Sequence, residues 1–184
     1  IVPQLRQGGI GLPDRDYYSN TDERSANIRS EYVKHIAKLF ELTGSTEAES
    51  KANADVVMKI ETTLAKSMFT RVEMRDPNRI YNKKNIAELD QLTPHIHWGP
   101  YLNMLNVKSA EYAIVDNPEF YKTVDNMLGS VSVNDWKTYL KWNVISGLAE
   151  ALNNAMVMEE FHFNEEILKG TKQIKPRYKR VIEM

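Results

Sequence analysis

The chain has 184 residues, with 24 Lys and Arg against 25 Asp and Glu, 42% hydrophobic residues and no cysteine. Such a chain can bury a core, carries no global attraction for nucleic acid or anionic membrane, and excludes disulfides, thiol nucleophiles and thiolate metal sites. No run of about 18 apolar residues offers a membrane-spanning segment.

The start, Ile1-Val2-Pro3-Gln4, has neither an initiator Met nor a basic-then-apolar leader and reads like the middle of a strand. Residues 1–12 alternate weakly and hold Gly8, Gly9 and Gly11, which predicts one short strand and a turn before the bend at Leu12-Pro13-Asp14. A helix is expected over 21–43, capped by Asn20 or Thr21 and stopped by Gly44, with Ile28, Tyr32, Ile36, Leu39 and Phe40 as its apolar stripe. A second helix follows, opened by a Thr46/Glu49 capping box and lined by Val56, Val57, Ile60, Leu64 and Met68, so a helical hairpin is predicted.

Residues 70–84 break the pattern; short helices near 85–92 and 98–105 come next, and Tyr112–Val115 reads as an isolated strand. Asn117-Pro118 supplies a cap and a first-turn proline for a helix ending at Gly129. The longest element is predicted from 134 to at least 155, with Trp136, Leu140, Val144, Leu148, Leu152 and Met156 facing a core at i+4 spacing. It continues, bent or broken, to Leu168, and Gly170 ends it. The end, Pro176–Met184, opens like a helix without a capping glycine, so both ends read as cut from a longer polypeptide. The predicted fold is mainly α: a single bundle-like helical lobe over 1–184, with a helical hairpin and at most a short extended element at the N-terminus.

Residues with chemical capacity form no recognisable centre. His35, His95, His97 and His162 contain no His-Glu-x-x-His; they read as packing or surface groups, with a local zinc site from His95, His97 and His162 as the other reading. Asp22-Glu23, Glu159-Glu160 and Glu165-Glu166 are adjacent pairs, which do not face one another on a helix and read as solvated. The cluster Lys169, Lys172, Lys175, Arg177, Lys179 and Arg180 reads as a solvated helix start rather than a phosphate site. No catalytic and no metal-ligating residue is assigned.

Three stretches carry a resemblance. Gly11-Leu12-Pro13-Asp14-Arg15-Asp16-Tyr17-Tyr18 looks like the "GLPxRDYY" signature of the neprilysin and endothelin-converting-enzyme family of zinc metallopeptidases. Arg75-Asp76-Pro77-Asn78-Arg79-Ile80-Tyr81-Asn82-Lys83 resembles its "RDPxxxYNK" loop, and Gly170-Thr171 with Pro176-Arg177-Tyr178-Lys179-Arg180 is similar to its "GT…PRWKR" segment. Trp136–Trp142 also fits the "WKxYLxW" helix of bacterial members. Tyr178 and Val181 stand where many relatives have Trp and Cys, which suits a cysteine-free bacterial member.

The resemblance implies the non-catalytic N-terminal region of such an enzyme. The zinc-binding His-Glu-x-x-His, a downstream glutamate ligand and a substrate-binding strand lie after this region in the family and are not in this sequence. The chain would help enclose a cavity for oligopeptides, with the catalytic lobe of the same parent polypeptide as partner, zinc in the parent only, and an extracytoplasmic location. Arg15, Asp16, Tyr17, Tyr18, Arg75, Asp76, Tyr81 and Asn82 are the candidate structural or cavity-lining positions. Arg15 would pair with Asp16, Arg75 with Asp76, and the tyrosines would pack with their hydroxyls satisfied. The alternative is a stand-alone helical module that binds peptides or proteins without hydrolysing them. A lobe of this kind should expose an apolar patch where its partner docks.

Overall fold

A computed structural model describes residues 2–107 and 109–183; Ile1 and Met184, the outermost residues of the two ends read as cut, lie outside the described residues. In chain order the elements are β1 (Gln4–Leu5), α1 (Asp16–Ser19), α2 (Glu23–Leu42), α3 (Glu47–Ser67), α4 (Pro77–Ile80), β2 (Asn82–Asn85), α5 (Ile86–Leu92), α6 (Trp98–Met104), β3 (Tyr112–Val115), α7 (Pro118–Ser130), α8 (Val133–Leu148), α9 (Asn154–Phe161) and α10 (Arg177–Glu183). Short 3-10 turns stand at Glu73–Arg75 and Ala149–Ala151, and a π-helical segment at His162–Ile167. The fold is mainly α, and the chain read as one lobe divides into two compact units, Ile1–Asn20 with Lys59–Trp136 and Thr21–Met58 with Lys137–Met184. The boundaries fall inside α3 and α8.

Local chemistry explains most element ends. Asp22, rather than Asn20 or Thr21, caps α2 by accepting from the Ser25 backbone N–H. Gly44, at φ +97°, closes the short turn from α2 to α3, a left-handed position that glycine occupies without strain. Thr46 and Glu49 exchange the reciprocal bonds of a capping box, as do Asn85 and Glu88 at the start of α5. The Asn117 side chain accepts from Phe120 N–H, with Pro118 in the first turn of α7.

In the first unit, the segment read as an isolated strand is the centre of a three-stranded sheet ordered β1-β3-β2. Gln4 and Leu5 pair in parallel with Ile114 and Val115, and β2 runs antiparallel with Asn82 opposite Val115 and Asn85 opposite Tyr112. The polar sequence of β2, Asn-Lys-Lys-Asn, has no strand signature; its pairing and its side chains hold it. Lys83 lies 4.1 Å from the centre of the Tyr112 ring, and Asn82 Nδ2 donates to Val115 O at 3.0 Å. Beneath the sheet, Leu89, Trp98, Ala113 and Val115 form a core, with the Trp98 indole N–H donating to the buried Thr93 hydroxyl at 2.7 Å.

The second unit is built on aromatic packing. Tyr32 and His35 of α2, Trp142 of α8 and Phe163 of the π segment meet ring to ring, with Tyr32–Phe163 centroids 5.3 Å apart and Phe40–Trp142 6.3 Å apart. The predicted long helix is corrected in two respects. It breaks after Leu148, because Asn153 caps a new helix by accepting from Met156 N–H. The expected core stripe also faces outward: Tyr139, Trp142, Ile145 and Ala149 are buried, whereas Leu140, Val144, Leu148 and Leu152 are exposed. A buried indole and phenol remove more apolar area from water than the aliphatic row they displace.

Candidate functional site

The first motif folds as a turn locked from inside. Tyr18 is buried, and its hydroxyl donates to Glu61 Oε2 at 2.5 Å while accepting from Leu12 N–H at 3.0 Å. The same carboxylate oxygen accepts from Gly11 N–H at 3.2 Å, so one buried acid of α3 gathers both ends of the Gly11–Tyr18 turn. Burial pushes the Tyr18 hydroxyl far above the usual tyrosine range, and the adjacent Glu61 charge pushes the same way, so it stays a donor. Arg15 donates to the Met68 carbonyl, and its Nε lies 3.7 Å from the exposed Asp16, the predicted pair. Asp14 pairs with Arg71 at 2.5 Å, and Arg71 also donates to Pro13 O. Tyr17 is half-buried.

Beside this turn, Gln7 and Asn117 form a polar knot. Gln7 both accepts from Phe69 N–H at 2.7 Å and donates to Phe69 O at 3.0 Å. Asn117, fully buried, donates to Gln7 Oε1 and to Ser67 O. Asp116 accepts from Gln7 N–H through both oxygens; burial holds its carboxyl above the usual range, against the opposing pull of that bond.

In the second motif, Asp76 caps α4 by accepting from Asn78 N–H, and the printed ion pair of this loop joins Arg79 to Glu73 at 2.8 Å. Asn82 Nδ2 reaches Arg79 O and Val115 O, clamping the loop to the sheet. Tyr81, by contrast, is exposed. The two motifs meet at a groove of about 470 Å³ lined by residues that include Leu12, Arg15, Phe69, Arg71, Met74 and Arg75. A neighbouring groove of about 430 Å³ takes Leu5, Met74, Pro77, Tyr81 and Asp116. Arg15, Arg75 and Tyr81 therefore line open surface, while Tyr18, Asp76 and Asn82 hold backbone. This arrangement can fix a turn and present a basic, apolar-floored groove.

The second unit contains a site the sequence did not single out. His35 is buried; its Nδ1 donates to Glu159 Oε1 at 2.9 Å, Nε2 lies 3.5 Å from Glu160 Oε2, and its ring stacks on Phe163 at 4.7 Å. Glu159 and Glu160, expected to be solvated, thus turn inward. Desolvation pulls the imidazole pKa down, but the hydrogen bonds from Glu159 and Glu160 outweigh it and hold His35 above the usual histidine range. One signal was present: His35 falls on the stripe of α2, three residues after Tyr32 and four before Leu39. His95 Nδ1 donates to the buried Asp125 at 2.9 Å, His162 Nδ1 to Glu166 at 2.7 Å, and His97 is exposed. Among the described residues, no group of three or more His, Asp or Glu converges in a way that would hold a metal ion.

Comparison with known proteins places these features. A family model described as Peptidase family M13 matches residues 1–184. Endothelin-converting enzyme 1 of Rattus norvegicus is 28% identical over 183 residues, covering 97% of this chain and 24% of that enzyme. Neprilysin-3 of Drosophila melanogaster is 25% identical over 166 residues, covering 83% of this chain and 21% of its own length. Among solved structures, the zinc metalloprotease Zmp1 of Mycobacterium tuberculosis in its open state superposes with a TM-score of 0.90 at 32% identity, over 97% of this chain and 28% of that one. Its inhibitor complex gives the same TM-score and identity over 27% of that chain. The chain thus spans about a quarter of the length of the curated relatives it matches.

Proposed function

The chain belongs to peptidase family M13, and from that premise we propose that it is the non-catalytic N-terminal helical region of a neprilysin-like zinc endopeptidase, helping to enclose the cavity in which oligopeptides are cleaved. The observation that carries this reading is the match of the whole chain to about a quarter of such enzymes, combined with a sequence that lacks His-Glu-x-x-His. A neprilysin-like zinc centre would need converging His and Glu ligands, and the residues described here do not fit it. His35, His95 and His162 each already bond a carboxylate, and no third donor joins them. No catalytic step is therefore assigned to this chain. Its contribution is walls: enclosure excludes water from a reacting peptide bond and admits peptides in preference to folded proteins.

Arg15, Arg75 and Tyr81 are the motif residues placed to face such a cavity, and Asp16, Tyr17, Tyr18, Asp76 and Asn82 those that shape its wall. By resemblance the parent is a bacterial, extracytoplasmic enzyme with zinc and the catalytic lobe elsewhere in the same polypeptide. Among the described residues no helix is long and apolar enough to cross a membrane.

The test is cleavage of an unstructured peptide by the purified chain and by the polypeptide encoded by its whole reading frame. The chain alone should be inert, and the encoded polypeptide should cleave in a manner blocked by a zinc chelator. Chelator-sensitive cleavage by the chain alone, or an inert encoded polypeptide, overturns the reading. A reading frame that stops at Met184 would instead favour a stand-alone helical binding module, a second reading to which the exposed aliphatic row of α8 lends support.

A further inference from the structure

We propose that the outward face of α8 is a docking surface for another segment of the same polypeptide, an apolar helix face with acidic residues where it meets Lys137 and Lys141. The inference rests on the reading of the chain as part of a longer M13 enzyme. Its carrying observation is that α8 is apolar on two faces. Tyr139, Trp142 and Ile145 are buried in the second unit, while Leu140, Val144 and Leu148 stand 59%, 61% and 51% exposed, followed by Leu152 at 49%. These four recur at intervals of four residues, so they form one continuous row on the side away from the packed aromatics. A helix packed on one side and facing water on the other ordinarily carries charged residues outward; one that is apolar all round is covered from both sides.

Two further observations select the occupant. The relatives run about four times the length of this chain, and in Zmp1 this fold is kept at a TM-score of 0.90 within a chain of which it makes up 28%. A covering segment is therefore available within the same polypeptide, where no association entropy opposes it. The charges flanking the row at its N-terminal end are both positive: Lys137 and Lys141 are exposed, and the one acid of α8, Asp135, precedes them. Lys141 also lies 5.5 Å from the centre of the Phe40 ring, which holds its ammonium close to the row. An occupant with Asp or Glu at that end and aliphatic residues along the row satisfies both features.

The absence of cysteine from the 184 residues makes the test direct. Val144→Cys and Leu148→Cys are made in this chain and in the encoded polypeptide, with any cysteine of the remainder replaced by serine. Lys51→Cys, on an exposed part of α3, serves as control. Maleimide should label the two α8 thiols at least about tenfold more slowly in the encoded polypeptide than in the chain alone, with no change at the control. A benzophenone maleimide attached at position 144 of the encoded polypeptide should cross-link within one molecule, to a segment beyond Met184. A cross-link to a second copy, equal labelling rates in the two proteins, or a reading frame ending at Met184 overturns the proposal. Peptide cleavage measured on the same samples separates it from the functional reading. Chelator-sensitive cleavage with an unprotected α8 sinks only the docking surface, and a protected α8 on an inert polypeptide sinks only the peptidase assignment.

Discussion

The hydroxyl of Tyr18 and the carboxylate of Glu61, 43 residues apart in the chain, stand 2.5 Å from one another in the interior of the first unit. The last tyrosine of the first motif is therefore a clasp: it gives its proton to Glu61 and its lone pair to Leu12 N–H. Tyr18→Phe keeps the packing and removes both bonds, so it should lower stability by about 2 kcal/mol. Glu61→Gln should cost a similar amount. In urea unfolding, the double variant should lose clearly less than the sum of the two single losses; full additivity would show that the two side chains act independently.

Asn117 offers a sharper contrast between substitutions. Its amide donates to Gln7 and Ser67 while its carbonyl caps α7, all in a fully buried position. Asn117→Ala should cost about 3 kcal/mol, from a lost cap and two acceptors left without their donor. Asn117→Asp preserves the cap but turns an acceptor toward two acceptors, and should be the more damaging of the two at neutral pH. Thermal melts of both variants decide it; an aspartate variant as stable as wild type would contradict the geometry.

His35 makes stability depend on pH in a direction that can be worked out. Its folded pKa lies above the unfolded value, so the protonated pair with Glu159 and Glu160 stabilises the fold fully below the unfolded histidine pKa, about 6.5, and that contribution fades as pH rises through the folded pKa. Glu31, Lys34, Lys38 and His162 border the same groove and set its local charge. Unfolding free energy of wild type minus that of His35→Gln should therefore fall from slightly acid to mildly alkaline conditions. A difference that is flat or rises over that range would reverse the assignment. His35→Ala should also cost about 2–4 kcal/mol at pH 6, since it strands two largely buried acids.

Zinc should leave this chain unchanged. Its histidines are committed to separate carboxylates, so stripping metal with a chelator should not shift the melting temperature, and zinc titration calorimetry should give no stoichiometric heat. A one-to-one isotherm that vanishes in His95→Ala would establish a site.

What was legible in the sequence was local. Thr46 with Glu49, and Asn117 before Pro118, announce their helices because the capping bond spans three residues. Spacing could not say which of two apolar faces of α8 points inward, since Leu140 and Val144 keep helical period as well as Tyr139 and Trp142 do. Nor could it foresee β2, whose polar residues pair with β3 only through contacts made across the fold. His35 and Glu159 lie 124 residues apart, and nothing in either neighbourhood names the other. The motif tyrosines divide in the same way: the sequence marks Tyr18 and Tyr81 alike, and only the packing makes one a clasp and the other exposed surface.

The π segment at His162–Ile167 amounts to one residue more than a regular helix would use over the same length. Deleting Asn164 would let the coil close into ordinary α turns and swing everything after it by about 100° around the axis. Glu166 would then leave His162, and Thr171 would leave Glu165, while Phe163 kept its seat against His35. Length, more than side-chain identity, is thus what this stretch must conserve, and insertions or deletions here should be rarer among functional variants than substitutions.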